Sequence, residues 1–138
     1  MQVQPYLFFD GRCEEAIDFY RQALGAQVEM LMRYRDSPDP SHGGCAPGNE
    51  DTVMHAAFRI GDSVLMASDG MAVGKPEFKG FSLSLDFDGE AQARGVFDAL
   101  AKGGNVLMPM GKTFFASIFG MVTDRFGVQW MVGVMAGK

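Results

Sequence analysis

Long apolar runs, clusters of basic residues and a secretion signal are all missing from this sequence. No stretch reaches the roughly 18 apolar residues of a membrane-spanning helix, and the start, MQVQPYLFF, has no basic segment followed by a long apolar one. We therefore expect a cytoplasmic protein. The net charge of −5 and the scattering of the 12 Lys and Arg residues argue against nucleic acids and anionic membranes as partners.

Cysteine is scarce as well. Cys13 and Cys45 are the only two cysteines, and without a secretion signal we expect free thiols rather than a disulfide. Cys13 stands where a helix is predicted to begin, and that position lowers the pKa of a thiol. The alternative, which we favour, is that Cys13 simply packs.

Several catalytic motifs are also absent. No G-x-G-x-x-G follows a predicted strand, as a methyl-donor site would require, and no nucleophile elbow accompanies Ser, His and Asp residues. His42 shares a loop with Cys45, Glu50 and Asp51, but their spacing matches no zinc pattern. We therefore interpret that loop as solvated.

An internal repeat is the most informative feature that is present. The chain reads LFFDG from Leu7 and LDFDG from Leu85, and the likeness continues at matching offsets in three further pairs: Phe19 and Phe97, Gly25 and Gly103, Val28 and Val106. Two copies of one supersecondary unit are therefore predicted, at about residues 3–70 and 81–134. A chain of 138 residues is expected to form one domain from both copies.

Hydrophobic periodicity assigns the same order of elements to each copy. Apolar residues at helical spacing predict helices that begin near Cys13 and Ala93 and end at Gly25 and at Gly103. Alternation predicts strands at 3–9, 27–35, 52–60, 63–68, 81–87, 106–115, 116–123 and 128–134. The expected fold class is α+β, with two β-α-β-β-β modules and a long polar connection at 36–51.

Three segments carry a resemblance to a known family. PYLFFDGRCEEAIDFYRQALGAQV, MHAAFRIGDSVLMASDG and TDRFGVQWM are similar to the PhnB-like branch of the glyoxalase, bleomycin resistance protein and extradiol dioxygenase superfamily, the vicinal oxygen chelate fold. The resemblance implies that the two modules form a curved, partly open mixed sheet with helices outside and a ligand cavity on the concave face. It also implies a homodimer.

The family's metal positions are degenerate in this sequence. The resemblance places them at Gln4 and Ser82 on the first strands, or at Pro5 and Leu83 if the register shifts by one, and at Met66 and Met131 on the last strands. Only Gln4 could coordinate a hard or borderline cation well, since thioethers are soft donors. We predict no metal cofactor, and we interpret the 11 methionines as core fillers rather than copper ligands.

A small-molecule site is predicted from the direction of alternating side chains. If Met54, Ala56 and Phe58 face the helices, His55 faces the cavity, together with Tyr6, Phe8, Asp86 and Gln129. His55 is a candidate general base, and the alternative is a histidine hydrogen-bonded across the sheet. The 36–51 loop is the predicted lid, whereas Ser82 and Ser84 fit either a cavity wall or plain sheet surface.

Three classes of function remain open. The first is a binding protein for a small, partly apolar molecule, without the usual metal site. The second is a metal-dependent lyase, isomerase, dioxygenase or thiol transferase with a displaced site formed by Gln4, His55 and an acidic group such as Asp69. The third is a structural module whose cavity is filled by Phe8, Met66 and Met131. A ubiquinone-pathway methyltransferase, a label used for some proteins of this branch, gains no support because the methyl-donor motif is absent.

Overall fold

The structure, a computed structural model, describes residues 1–38, 48–70 and 76–136. The chain forms two compact units, Met1–Pro76 and Glu77–Lys138. Both have the same order of elements, one strand, one helix and three strands, so the predicted α+β class and the β-α-β-β-β plan are confirmed. His42, Cys45 and most of the predicted lid lie outside the described residues.

The first unit contains one helix and a mixed four-stranded sheet. Its elements are β1 (Tyr6–Phe8), α1 (Cys13–Leu24), β2 (Gln27–Arg33), β3 (Val53–Ile60) and β4 (Ser63–Ser68), with a short 3-10 helix at Tyr34–Asp36. The strand order is β1-β4-β3-β2. β1 runs parallel to β4, and the other neighbours are antiparallel.

The second unit repeats this arrangement. Its elements are β5 (Leu83–Asp86), α2 (Glu90–Ala101), β6 (Asn105–Gly111), β7 (Ala116–Thr123) and β8 (Gln129–Met135). The strand order β5-β8-β7-β6 matches that of the first unit, with β5 parallel to β8. Neither of the two described helices is long and apolar enough to cross a membrane.

Some predicted strands are too long. The first strand was expected from residue 3 but begins at Tyr6, because Pro5 has no N–H to donate and joins the sheet only by accepting a bond from Met66 N. The second strand was expected to reach residue 35, but it ends at Arg33, where the buried Tyr34 opens a 3-10 turn. Strand β6 ends at Gly111 rather than residue 115.

Helix α1 forms where the periodicity places it. Cys13, Ala16, Ile17 and Tyr20 are its buried residues, and Gly25 ends it in a left-handed conformation, φ 69°, that glycine adopts at little cost. The Tyr20 ring stacks on Phe58 of β3 at a centroid distance of 6.1 Å. The helix therefore covers one face of the first sheet.

A glycine shortly after the end of helix α2 allows two backbone segments to approach closely. A Cβ atom at Gly104 would lie 2.1 Å from the backbone oxygen of Thr123, so the chain can pass this strand closely only without a side chain. Ala93, Phe97 and Leu100 are the buried residues of the helix. Val96, which also belongs to the predicted stripe, is only half-buried.

The predicted alternation of buried and open side chains is present in β1 and largely in β3. Leu7 is buried, whereas its neighbours Tyr6 and Phe8 are 36% and 53% exposed. In β3, Ala56 and Phe58 are buried and His55 is half-buried. Met54 was expected in the core but is only half-buried.

Methionine does not fill the core. Among the described residues no methionine is buried, and Met30, Met108 and Met135 are exposed. The interpretation of methionine as core filler was wrong. Alternation alone does not say which face of a strand is covered, and valine, isoleucine and aromatic residues occupy the covered faces instead.

Candidate functional site

Three of the predicted ligand residues form a cluster on the first sheet. They lie on the face opposite α1, which we call the helix-free face of the first sheet. The Tyr6 hydroxyl is 3.0 Å from His55 Nδ1, within hydrogen-bond distance. The Tyr6 ring centroid lies 4.9 Å from that of Phe8 and 5.6 Å from that of His55. Tyr6, Phe8 and His55 therefore form a patch of three contacting rings.

Sheet topology explains how residues so far apart in sequence meet. Tyr6 pairs with Met66, and Met66 pairs with Ala57, so β4 lies between the strand of Tyr6 and the strand of His55. Side chains of His55 and Ala57 point the same way because strand residues alternate. Tyr6 can therefore reach His55 diagonally over β4.

The hydrogen bond defines what the His55 ring offers to a ligand. A phenol is a good donor, and if Tyr6 donates to Nδ1 the imidazole proton is on Nε2. Among the described residues the ring has no second hydrogen-bond partner. Nε2 is thus available to a ligand. The cross-sheet hydrogen bond that the sequence suggested as an alternative to catalysis is present.

A tight turn after β4 supports the aromatic patch. Gly70 has a φ of 60°, and a Cβ atom there would lie 3.2 Å from Phe8 Cδ1. The Tyr34 hydroxyl donates to the Gly70 carbonyl, and Gly70 N donates to Ser68 Oγ at 3.1 Å. The Phe8 ring therefore lies directly against backbone at Gly70 that two hydrogen bonds hold in place.

Asp69 is bound to the backbone and is not available as a ligand. It is only 3% exposed. Its Oδ1 accepts bonds from Gly11 N at 2.7 Å and Cys13 N at 2.8 Å, and its Oδ2 accepts one from Val53 N at 2.7 Å. Asp69 thereby ties the end of β4 to the start of α1 and the start of β3. No local signal in the sequence predicts this role, since the partners lie in two distant segments, Gly11 to Cys13 and Val53.

Cys13 is a packed residue of the core and not an activated thiol. The side chain is fully buried at the first residue of α1, and it is a free thiol. Burial raises the pKa of Cys13, and the negative charges of Asp69 and Glu14 raise it further. Desolvation outweighs the helix terminus, so Cys13 packs, as the favoured alternative stated.

The remaining predicted ligand residues lie in the second unit. Ser82 Oγ is 3.4 Å from Gln129 Oε1, so these two side chains meet between the start of β5 and the start of β8. Asp86 is exposed at the other end of β5, paired in register with Gly133. Ser82 and Gln129 thus contact each other, whereas Asp86 lies at the opposite end of β5.

The four degenerate metal positions do not fit a hard or borderline divalent cation. Gln4 precedes β1, while Met66 is paired with Tyr6, and Met131 is paired with Ser84. Thioether sulfur is a poor ligand for Mg²⁺, Mn²⁺ or Zn²⁺. Among residues 1–38, 48–70 and 76–136, no three His, Cys, Asp or Glu side chains group as a metal site. No chemical step is therefore derived through a metal.

Comparison with known proteins identifies the family. The model of the glyoxalase, bleomycin resistance protein and dioxygenase superfamily matches residues 2–132. Protein YjdN of Escherichia coli K12 is 39% identical over 141 residues, which cover 98% of this chain and 96% of YjdN.

Two solved structures agree. Protein PA1353 from Pseudomonas aeruginosa is 47% identical with a TM-score of 0.85, covering 97% of each chain. The PhnB protein from Bacillus cereus, described as a candidate 3-demethylubiquinone-9 3-methyltransferase, is 28% identical with a TM-score of 0.80, covering 97% of this chain and 99% of that one. The chain therefore belongs to the glyoxalase, bleomycin resistance protein and dioxygenase superfamily, in its PhnB-like branch.

Proposed function

We propose that the protein binds a small, partly apolar molecule on the helix-free face of the first sheet, without a metal at the family's usual positions. One observation carries the proposal. The rings of Tyr6, Phe8 and His55 contact one another and remain partly exposed. The Nε2 atom of His55 has no hydrogen-bond partner in the described part of the chain. An apolar surface with a few placed polar groups is how small-molecule sites are built.

The energetics favour a ligand that covers the rings. Aromatic side chains bury large areas when covered, and ring-on-ring contacts add about 0.5–1.5 kcal/mol each beyond that burial. A ligand oxygen could accept from Nε2 of His55. Asp86 and Gln129 lie in the second unit and are not part of this proposal.

The alternative is a metal-dependent enzyme of the family with a displaced site. It would need Gln4, His55 and an acidic group such as Asp69 as ligands, yet the Asp69 carboxylate already accepts three backbone hydrogen bonds. A structural module is disfavoured too, because Phe8 is 53% exposed and Met66 and Met131 are not buried. The binding function therefore has the better support.

Loss of the His55 ring is expected to weaken binding of a screened ligand by about 1–2 kcal/mol, the scale of one buried hydrogen bond. Tyr6→Phe keeps the ring and removes the hydroxyl, so a smaller loss of affinity is expected. Phe8→Leu removes an aromatic ring that contacts Tyr6, and it should also weaken binding. Isothermal titration with His55→Ala, Tyr6→Phe and Phe8→Leu measures all three. Ser63→Ala, at an exposed position on β4, is the control. Unchanged affinity in all three variants would place the site elsewhere.

Purified protein is expected to contain far less than one equivalent of zinc, nickel or iron. The reason is the donor chemistry of Gln4, Ser82, Met66 and Met131, which offers soft or weak ligands. Metal analysis by inductively coupled plasma mass spectrometry, before and after metal loading, provides the measurement. Near-stoichiometric metal that disappears in Gln4→Ala would contradict this expectation.

A homodimer with twofold symmetry is also part of the proposal. Strands β2 and β6 each form one edge of their sheet, and four apolar residues are exposed on them: Val28, Met30, Val106 and Leu107. Exposed apolar edges are commonly covered by association. Light scattering at micromolar concentration should give twice the mass of the chain, and Leu107→Glu should shift the protein toward monomer. A wild-type monomer would contradict the proposal.

A further inference from the structure

The hydrogen bond between Tyr6 and His55 can form in two directions. A phenol and a neutral imidazole each have one donor and one acceptor for such a bond, and the Tyr6 hydroxyl lies 3.0 Å from Nδ1 of His55. If the hydroxyl donates to Nδ1, the His55 proton is on Nε2. If Nδ1 donates to the hydroxyl oxygen, the Tyr6 proton and the lone pair of Nε2 both face a ligand. The neutral pair therefore offers a ligand one donor and one acceptor.

Protonation of His55 changes what this pair offers. Both ring nitrogens of an imidazolium are donors, so Nδ1 then donates to the Tyr6 oxygen and the Tyr6 proton turns toward the ligand. The protonated pair presents two donors, Nε2–H and the phenol O–H, together with one positive charge. A carboxylate matches this state, because it has two accepting oxygens and the opposite charge, and charge-assisted bonds are the stronger ones. A neutral ligand oxygen gains no such attraction.

The strand residues around His55 carry no charge. The described residues on the same face are a phenol, a hydroxyl and apolar side chains: Tyr6 and Phe8 on β1, Met66 and Ser68 on β4, and Met32 on β2. Asp10 is the acidic residue nearest along β1, and Phe8 stands between it and Tyr6 in the sequence. In the described part of the chain no acidic side chain bonds to the His55 ring. The position of a counter-charge is therefore open to a ligand.

The charged groups further along the strands are already paired. Arg59 lies four residues beyond His55 on β3 and contacts Glu29 at 3.4 Å. At the end of β2, Arg33 bonds to Glu14 of α1 at 2.7 Å. The other charged groups at that end of the sheet bond to each other or to backbone N–H groups: Arg35, Asp36, Glu50, Asp51 and Asp69. Histidine is the side-chain type that changes charge between about pH 5 and 8, so His55 is the group here that can couple ligand binding to protons in that range.

We infer that the helix-free face of the first sheet takes a carboxylate attached to a flat apolar body, and that this carboxylate binds with uptake of one proton on His55. The inference rests on the proposed binding function and specifies its ligand class. A flat body can stack on the rings of Tyr6 and Phe8, while the carboxylate oxygens accept from the Tyr6 hydroxyl and from Nε2. By linkage, a ligand that takes up a proton binds more tightly as the pH falls, until His55 is already protonated in the free protein.

Two probes of the same shape test the carboxylate: 2-naphthoate, and its neutral amide 2-naphthamide. Isothermal titration is carried out between about pH 5.5 and 8.5, where histidine titrates and carboxylic acids are ionised. Two buffers of different ionisation enthalpy give the number of protons taken up. As the pH rises, the affinity for naphthoate is expected to fall by up to about tenfold per pH unit, which corresponds to one proton per ligand. The affinity for naphthamide should stay nearly constant.

Three variants assign the proton and the second donor. His55→Gln keeps a hydrogen-bonding side chain but takes up no proton, so naphthoate binding should lose its pH dependence. Tyr6→Phe removes the second donor and should weaken naphthoate at low pH more than it weakens naphthamide. His42→Gln changes the other histidine of the chain and is the matched control, which should keep the proton uptake. Thermal unfolding of each variant checks that the fold is retained.

The outcomes distinguish this inference from the proposed function. If neither probe binds to the wild type, both are overturned. If naphthamide binds and naphthoate binds no better at low pH than at high pH, only the carboxylate inference is overturned. The same pH dependence for both probes also overturns it, because the proton would then not respond to the carboxylate. Proton uptake that persists in His55→Gln and disappears in His42→Gln would assign the proton to the other histidine and overturn it as well.

Discussion

Replacing Asp69 by alanine is expected to lower the free energy of unfolding by about 3–5 kcal/mol, the size of effect seen when a buried network is broken. The carboxylate is buried and accepts bonds from Gly11 N, Cys13 N and Val53 N. Without it, three backbone donors lose their partner, and each buried donor left unpaired costs about 1–3 kcal/mol. Urea unfolding followed by circular dichroism measures the change.

A graded series tests the mechanism of this loss. Asp69→Asn keeps one acceptor oxygen but places an amide near a backbone N–H, so an intermediate loss is expected. Asp62→Ala removes an exposed carboxylate in the turn between β3 and β4 and should change stability by less than about 0.5 kcal/mol. A loss below about 1 kcal/mol in Asp69→Ala, less than one unpaired donor costs, would show that the three bonds do not hold the unit together.

Substitution of Asp69 should also weaken ligand binding at the first sheet. Asp69 Oδ2 holds the first residue of β3, Val53, and His55 lies two residues further along the same strand. If the start of β3 becomes mobile, the bond from Tyr6 to His55 is no longer held in place. Ligand binding should therefore weaken in Asp69→Asn even at temperatures where that variant remains folded, which calorimetric titration can detect.

Replacing Trp130 by alanine is expected to destabilise the protein by about 3–5 kcal/mol, the usual cost of deleting a large buried aromatic side chain. Trp130 is 1% exposed in the middle of the second sheet. Its Nε1 donates to Asp124 Oδ2 at 2.8 Å, while Asp124 Oδ1 accepts from Phe126 N and Val128 N. The variant therefore loses packing as well as a bond to the carboxylate that holds the turn before β8.

Two further variants separate packing from hydrogen bonding. Trp130→Phe fills much of the volume but cannot donate to Asp124, so we expect it to lower stability less than Trp130→Ala does. Phe114→Ala removes an aromatic ring that is 96% exposed in the same unit, and it should have little effect on stability. Equal losses for Trp130→Ala and Phe114→Ala would show that neither the volume of Trp130 nor its bond to Asp124 matters.

The sequence predicted the architecture well because periodicity is a local property. Helix α1 and the strands Ser63–Ser68 and Ala116–Thr123 have the predicted bounds, since buried and exposed residues recur every 3.6 or every two positions. The repeat predicted that both halves share one plan. Strand ends were less predictable. Strand β1 begins only after Pro5, which has no N–H to donate, and β2 ends where the buried Tyr34 opens a 3-10 turn that bonds to Thr52.

For the candidate site, the sequence by itself determined which way the side chains point. The pleat of a strand places Tyr6 and Phe8 opposite Leu7, and His55 opposite Ala56. Only the tertiary structure decided what these side chains meet. The bond from Tyr6 to His55 joins residues 49 positions apart, and Asp69 binds residues up to 58 positions away.

The alignment of methionines across the second sheet, Met131 with Met121 and Met121 with Met108, was likewise decided by the fold. The sequence contains the methionines, but their pairing depends on the register between strands, and the bulge between Val106 and Met108 is part of that register. Register follows from how whole sheets and helices pack, and no single segment contains that information. Local periodicity thus determined the elements and their faces, whereas long-range packing decided that Asp69 is structural and that methionine lies on the surface.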